Sequence, residues 1–153
     1  SISRINIMGH WARLDDNNIV QEVICIKKEE LDTGAWGDPS KFVKTSYNTC
    51  HGKHYVPNQE QSYSIESPDQ SKACGYRFAG IGMKYDAVND VFHDAEPAFP
   101  SFVFNNKTYE WEAPIPYPED GYPENMVENK PVYYVWDEEL YQSDNTKGWV
   151  RVA

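Results

Sequence analysis

Between Tyr76 and Trp149 one short pattern of apolar and polar positions, apolar-x-aromatic-(Asp or Asn), occurs three times. The copies are Met83-Lys84-Tyr85-Asp86, Phe102-Val103-Phe104-Asn105 and Tyr134-Val135-Trp136-Asp137. Phe92 follows Asp86 by six residues, Trp111 follows Asn105 by six, and Trp149 follows Asp137 by twelve. Alternate large side chains share one face of a strand, and Asp or Asn readily starts a turn. The pattern therefore predicts a series of β-hairpins, the third with a turn six residues longer.

The same logic predicts a fourth hairpin near the start. Trp11-Ala12-Arg13-Leu14 and Ile19 to Ile26 flank the polar tip Asp15-Asp16-Asn17-Asn18. The return segment is the most apolar run of the chain, which predicts a central strand. Lys27 to Asp32 predicts a short helix, ended by Gly34 and Gly37 around Trp36, and Phe42 to Tyr47 predicts a strand. Residues 48–75 are rich in Asn, Gln, Ser, Pro and Lys and keep no apolar period. Loops of that length are usually functional or disordered. Ala113-Pro114-Ile115-Pro116-Tyr117-Pro118 predicts a stiff extended spacer with unpaired carbonyls.

The resulting expectation is a mostly β fold, a meander of aromatic hairpins with Pro-rich extended connections and at most one short helix. Its parts are an N-terminal arm at 1–7, a β-rich part at 8–82 carrying the loop 48–75, and hairpin repeats at 83–153, all in one folding unit. The arm alternates Ile2, Ile5 and Ile7 imperfectly, as a strand lying on another subunit would, although terminal segments are otherwise usually loose.

Composition strengthens the β reading. Among 153 residues there are three Leu against 11 Tyr, 6 Phe and 5 Trp, so flat rings must fill the interior. Ten Pro and nine Gly interrupt any long helix. A formal charge of −10 repels phosphate backbones and acidic membrane surfaces, which argues against nucleic acid and membrane as partners. Ser1 to Ile7 has no long apolar stretch of the kind an export signal carries.

Candidate chemistry is sparse. Cys50, His51, His54 and Cys74 place four possible soft-metal ligands near one loop, open to a metal clip, a Cys50–Cys74 disulfide or no link at all. Cys25 sits in the apolar run and is expected as a buried free thiol. Asp86, Asp90 and Asp94 read as turn residues, and Asp137, Glu138 and Glu139 as a solvated tip. No G-x-S-x-G, phosphate-cradling glycine loop or H-E-x-x-H occurs, and the reading is non-enzymatic, without a cofactor. Trp111, Tyr117, Trp136 and Trp149 are the candidate binding or interface positions, because ring faces beside acids and amides suit a sugar or a partner protein. The competing assignment for these tryptophans is the core itself.

Three stretches resemble a family of small structural proteins of marine tailed phages, including those of cyanobacteria. They are Phe42-Val43-Lys44-Thr45-Ser46-Tyr47-Asn48-Thr49, then Phe78-Ala79-Gly80-Ile81-Gly82-Met83-Lys84-Tyr85-Asp86, then the run from Pro100-Ser101-Phe102 to Trp111-Glu112-Ala113-Pro114-Ile115-Pro116-Tyr117-Pro118. Trp136-Asp137-Glu138 and Trp149-Val150 close the last. The resemblance spans Met8 to Val152. It departs at the cysteines Cys50 and Cys74 and at the residues before Met8. What it implies is a virion accessory protein, a capsid decoration or a neck, tail or fibre component, with other virion proteins as partners in symmetric multiple copies. A host surface glycan is the alternative partner.

Overall fold

The computed structural model describes residues 8–58, 60, 62–121, 126–127 and 130–152. The arm expected at 1–7 lies outside the described residues. Those described are mostly β, in small antiparallel sheets, and the chain divides after Ala95 into two compact units. No helix among them is long and apolar enough to cross a membrane.

The first unit is built on a three-stranded sheet, β1 (Met8–Leu14) flanked by β2 (Val20–Lys27) and β3 (Phe42–Thr45). Alternation along these strands sorts side chains to two faces, and both are covered. On one face Ala12, Leu14 and Val20 cluster with Ala79 and Phe92, with Val23, Val43, Met83 and Tyr85 packed around them. On the other, Ile26 and Phe42 meet Leu31 of the short helix α1 (Lys28–Asp32), beside Trp11 and Ile24. The predicted helix is thus present and supplies one buried leucine.

Two expectations fail here. The apolar run β2 is an edge strand, and β1 is central because it pairs with both neighbours. Cys25 is exposed, not buried. It pairs in register with His10, on the face opposite Ile24 and Ile26, outside the cluster formed by Ala12, Leu14 and Val20.

Residues 48–75 hold more order than their composition suggests. β4 (Thr49–Cys50) and β5 (Lys53–His54) form a tight hairpin with His51 and Gly52 at its tip, both at positive φ. The Gln70 side chain then acts as a surrogate strand for His54. Its carbonyl accepts the His54 N–H at 2.8 Å, and its amide donates to the His54 carbonyl at 2.9 Å.

The hairpin of β6 (Met83–Asp86) and β7 (Val91–Asp94) completes this unit. The boundary expected between 82 and 83 falls after Ala95 because Phe92, fully buried, belongs to the Ala12–Leu14–Val20 cluster. Two backbone bonds tie the hairpin to the β1–β2 end of the sheet, Gly82 N–H to Val20 at 2.9 Å and Tyr85 N–H to Asn18 at 2.8 Å.

The second unit holds the hairpins β8 (Val103–Asn105) with β9 (Glu110–Glu112), β10 (Met126–Val127) with β11 (Lys130–Pro131), and β12 (Tyr133–Trp136) with β13 (Trp149–Val152). The long third turn contains a second helix, α2 (Glu138–Ser143), where a solvated tip and no helix were expected. Asp137 caps it by accepting the Leu140 N–H at 3.0 Å, and Glu138 and Glu139 sit in the first turn, where acids favour a helix.

One device recurs at four turns. Asp15 accepts the N–H groups of Asn17 and Ile19, Asp86 those of Val88 and Asn89, Asn105 those of Lys107 and Thr108, and Asp137 that of Leu140. The acid or amide that ends each copy of the pattern is what bends the chain.

Candidate functional site

Aromatic residues of the second unit pack in a continuous column of edge-to-face and tilted contacts. Phe99 meets Phe102 at 5.2 Å between centroids, Phe102 meets Trp136 at 5.6 Å, and Trp136 meets Trp149 at 5.2 Å. Tyr117 continues the column at 5.0 Å from Trp149 and Tyr134 ends it at 5.9 Å from Tyr117, while Tyr141 of α2 packs on Trp136 at 5.3 Å. These separations lie in the range that ring quadrupoles favour.

The polar edges of the column are also engaged. Trp149 donates its indole N–H to the Ile115 carbonyl at 2.8 Å, and Trp136 donates to Glu138 at 2.8 Å. The Tyr117 hydroxyl donates to the Gly121 carbonyl at 2.6 Å and accepts the Tyr134 N–H at 3.0 Å. Three of the four aromatic positions singled out in the sequence, Tyr117, Trp136 and Trp149, are thus brought together, as packing. Trp111 lies on Phe104 in its own hairpin at 5.1 Å. The Pro-rich run is not a spacer with unpaired carbonyls, because the Trp149 bond to Ile115 fastens it to β13.

Glu138 ties two hairpins of this unit together. Its carboxylate accepts from the Ser101 N–H at 2.9 Å, the Ser101 hydroxyl at 2.6 Å, the Trp136 indole and the Gln142 amide. Burial pushes its pKa up, but the donors from Ser101, Trp136 and Gln142 outweigh that and hold the carboxyl below its ordinary value.

With one face of the β12–β13 ribbon given to the column, the other is bare. Register places Tyr133, Val135, Val150 and Val152 together on it. Tyr133 is 45% exposed, Val135 46% and Val150 39%, whereas Trp136 behind them is 9% exposed. Among the described residues no third strand joins the ribbon, and the Tyr117 hydroxyl takes the Tyr134 N–H on the outer edge of β12. Sequence reasoning missed this surface. Its signal was the alternation of valines with Trp149 and Arg151.

The four metal-ligand candidates do not converge. Cys50 Sγ lies 3.3 Å from His51 Nδ1, His54 is buried with its Nδ1 2.7 Å from the Ser67 hydroxyl, and Cys74 is half-buried and donates its backbone N–H to the Thr49 hydroxyl at 3.3 Å. All three cysteines are free, and among the described residues no three His, Cys, Asp or Glu side chains are grouped to hold an ion.

The first unit has an open cleft of about 790 Å³ where the ends of β1 and β3 face residues 54–57 and 67–72. His54, Lys44, Lys72, Tyr47 and Val56 line it. His10 lies there too, its pKa pushed down by burial, with Tyr47 edge-on at 4.2 Å. Tyr47 in turn stacks on Phe78 at 4.1 Å.

Comparison of the chain with protein-family models, curated proteins and solved structures finds no match.

Proposed function

We propose that this chain is a non-enzymatic structural protein of a phage virion, docking in multiple copies on a repeating assembly of the particle as a capsid decoration or a neck, tail or fibre component. The observation that carries this reading is the β12–β13 ribbon, closed on one face by the aromatic column and bare on the other at Tyr133, Val135 and Val150. An exposed apolar ribbon face is costly in water and is a ready surface for a partner. The column behind it holds that face rigid, so docking loses little freedom. The resemblance of the Gly-Ile-Gly-x-x-Tyr-Asp and Trp-Glu-Ala-Pro-x-Pro-Tyr-Pro stretches to virion accessory proteins supports the same reading, and the negative charge limits non-specific adhesion.

The occupant of the bare face is then a subunit of the particle. Quantitative mass spectrometry of purified virions tests this by calibrating the copy number of the chain against the major capsid protein. A simple ratio repeated over the shell assigns it to the capsid lattice, and a few to a few tens of copies assign it to neck, tail or fibre. Absence from particles refutes the proposal.

A further inference from the structure

β2 is an edge strand of the first unit's sheet, and the backbone of its second half faces outward. The direction follows from the turn. The Asp15 N–H donates across the hairpin to the Ile19 carbonyl at 3.0 Å, so the backbone groups of Arg13 and then Trp11, alternating back along β1, point at β2. Their register partners Glu22 and Ile24 point back at β1. Val23 and Cys25 therefore turn both N–H and C=O to the outer side, and Lys27 turns its N–H there. Before the register shift that skips Gln21, the outward carbonyl of Val20 is taken by the Gly82 N–H at 2.9 Å. Beyond it, nothing among the described residues bonds to this edge.

Sheet edges are normally blunted by a proline, a bulge or an inward charge. Between Val23 and Ile26 this one has none of them. The segment reads Glu22-Val23-Ile24-Cys25-Ile26-Lys27-Lys28, acidic at one end, apolar through the middle and basic at the other. Such a strand is complementary to itself when turned antiparallel. A two-fold axis at Cys25 sets Ile24 against Ile26 of a second copy, Val23 against its Lys27 and Glu22 against its Lys28. An axis at Ile24 instead sets Lys28 against Val20, whose outward carbonyl already belongs to Gly82.

We propose that this edge is a homodimer interface, in which β2 pairs antiparallel with β2 of a second copy about a two-fold axis at Cys25. The two three-stranded sheets join as one of six strands. Cys25 and its symmetry mate exchange both N–H···O=C bonds. Glu22 and Lys28 each hold a partner within their own chain, Arg13 and Asp32, so their charges select the register and add little affinity. The Cys25 side chain stays on the sheet face beside His10, and the two Cα atoms stand about 5.5 Å apart across the seam, within reach of a disulfide. The interface is separate from the bare face of β12–β13, which belongs to the other unit.

The test is sedimentation equilibrium of the full, reduced chain from about 1 to 500 μM, with amide hydrogen exchange followed over the same range. The expected result is a reversible dimer in which exchange at Val23 and Cys25 slows as concentration rises, and in which mild oxidation with diamide links the two chains through Cys25 in peptide maps. Cys25→Pro removes an N–H that faces the edge and that β1 does not use, and is expected to lower the affinity by about tenfold or more. The exchange measurement uses the wild-type chain and decides the matter whether or not that variant folds. A chain still monomeric at about 500 μM overturns the proposal. So does a dimer in which Val23 and Cys25 exchange as fast as at low concentration, or a folded Cys25→Pro variant that dimerises as the wild type does. A dimer abolished by Val135→Lys/Val150→Lys overturns it too, by placing the contact on the β12–β13 face.

Discussion

Trp136 donates its indole N–H to the carboxylate of Glu138, two residues further on, at 2.8 Å. Strand, cap and helix follow one another here within three residues: Trp136 ends β12, Asp137 caps α2 and Glu138 opens it. The same carboxylate reaches Ser101, so one charged group joins the approach to β8, the end of β12 and the first turn of α2.

That junction is expected to be sensitive to acid. The folded pKa of Glu138 lies below its ordinary value, so its contribution is complete above the unfolded glutamate pKa of about 4.3 and is lost as pH falls through the folded value. Glu138→Gln removes this dependence. Thermal melts of both proteins from pH 7 to pH 3 check it. The variant has the lower Tm at neutral pH, and the gap narrows as pH falls. A gap that is constant with pH contradicts the assignment.

Gly148 offers a sharper steric test. A Cβ at this position would strike the six-membered ring of Trp136, which is held by Trp149, Tyr141 and Glu138 and has little room to move. Gly148→Ala is expected to destabilise by about 1–3 kcal/mol, the usual cost of overpacking. Urea unfolding followed by tryptophan fluorescence reads it, and an unchanged midpoint contradicts the packing.

In the first unit the critical ring is Phe92, fully buried among Ala12, Leu14, Val20 and Ala79. Phe92→Ala is expected to cost about 3–5 kcal/mol, a large part of the stability of a domain this size. Val88→Ala, three residues before β7 and almost fully exposed, changes stability by less than about 0.5 kcal/mol. Denaturant melts of the pair separate the two.

Much of this architecture was legible in the sequence, for a definite reason. The acid or amide at the end of each copy of the pattern both ends the strand and accepts the N–H groups of the turn, so Asp86 and Asn105 announce their hairpins. What was not legible depends on partners distant in the chain. The run in β2 reads as central because it is apolar on both sides, but apolar faces report what covers them and say nothing of how edges pair. Here β7 and α1 cover the two faces of the sheet while β1 alone pairs with β2. At Tyr133-Tyr134-Val135-Trp136 all four residues are apolar, and alternation cannot say which pair turns outward. Helix α2 is short and begins with acids, and so resembles a loop until Asp137 is recognised as its cap.

The cysteines distinguish exposure from composition. Cys25 is exposed, whereas burial pushes the Cys74 thiol pKa up and so lowers its reactive thiolate fraction. Alkylation of the folded chain at pH 8, followed by peptide mapping, is expected to modify Cys25 well before Cys74. The reverse order contradicts the register that turns Cys25 away from Ile24 and Ile26.

The bare face of β12–β13 makes the most direct prediction about function. Val135 and Val150 are paired across the ribbon and exposed, and the column behind them is packed without their help. The double variant Val135→Lys/Val150→Lys is therefore expected to fold, with stability changed by only about 0.5 kcal/mol per site. Two ammonium groups on that face cannot be buried unpaired in a partner. Particles assembled with the variant in place of the wild-type chain are expected to lose it, and mass spectrometry of the purified particles measures the loss. A folded variant that is retained at the wild-type copy number places the docking surface elsewhere.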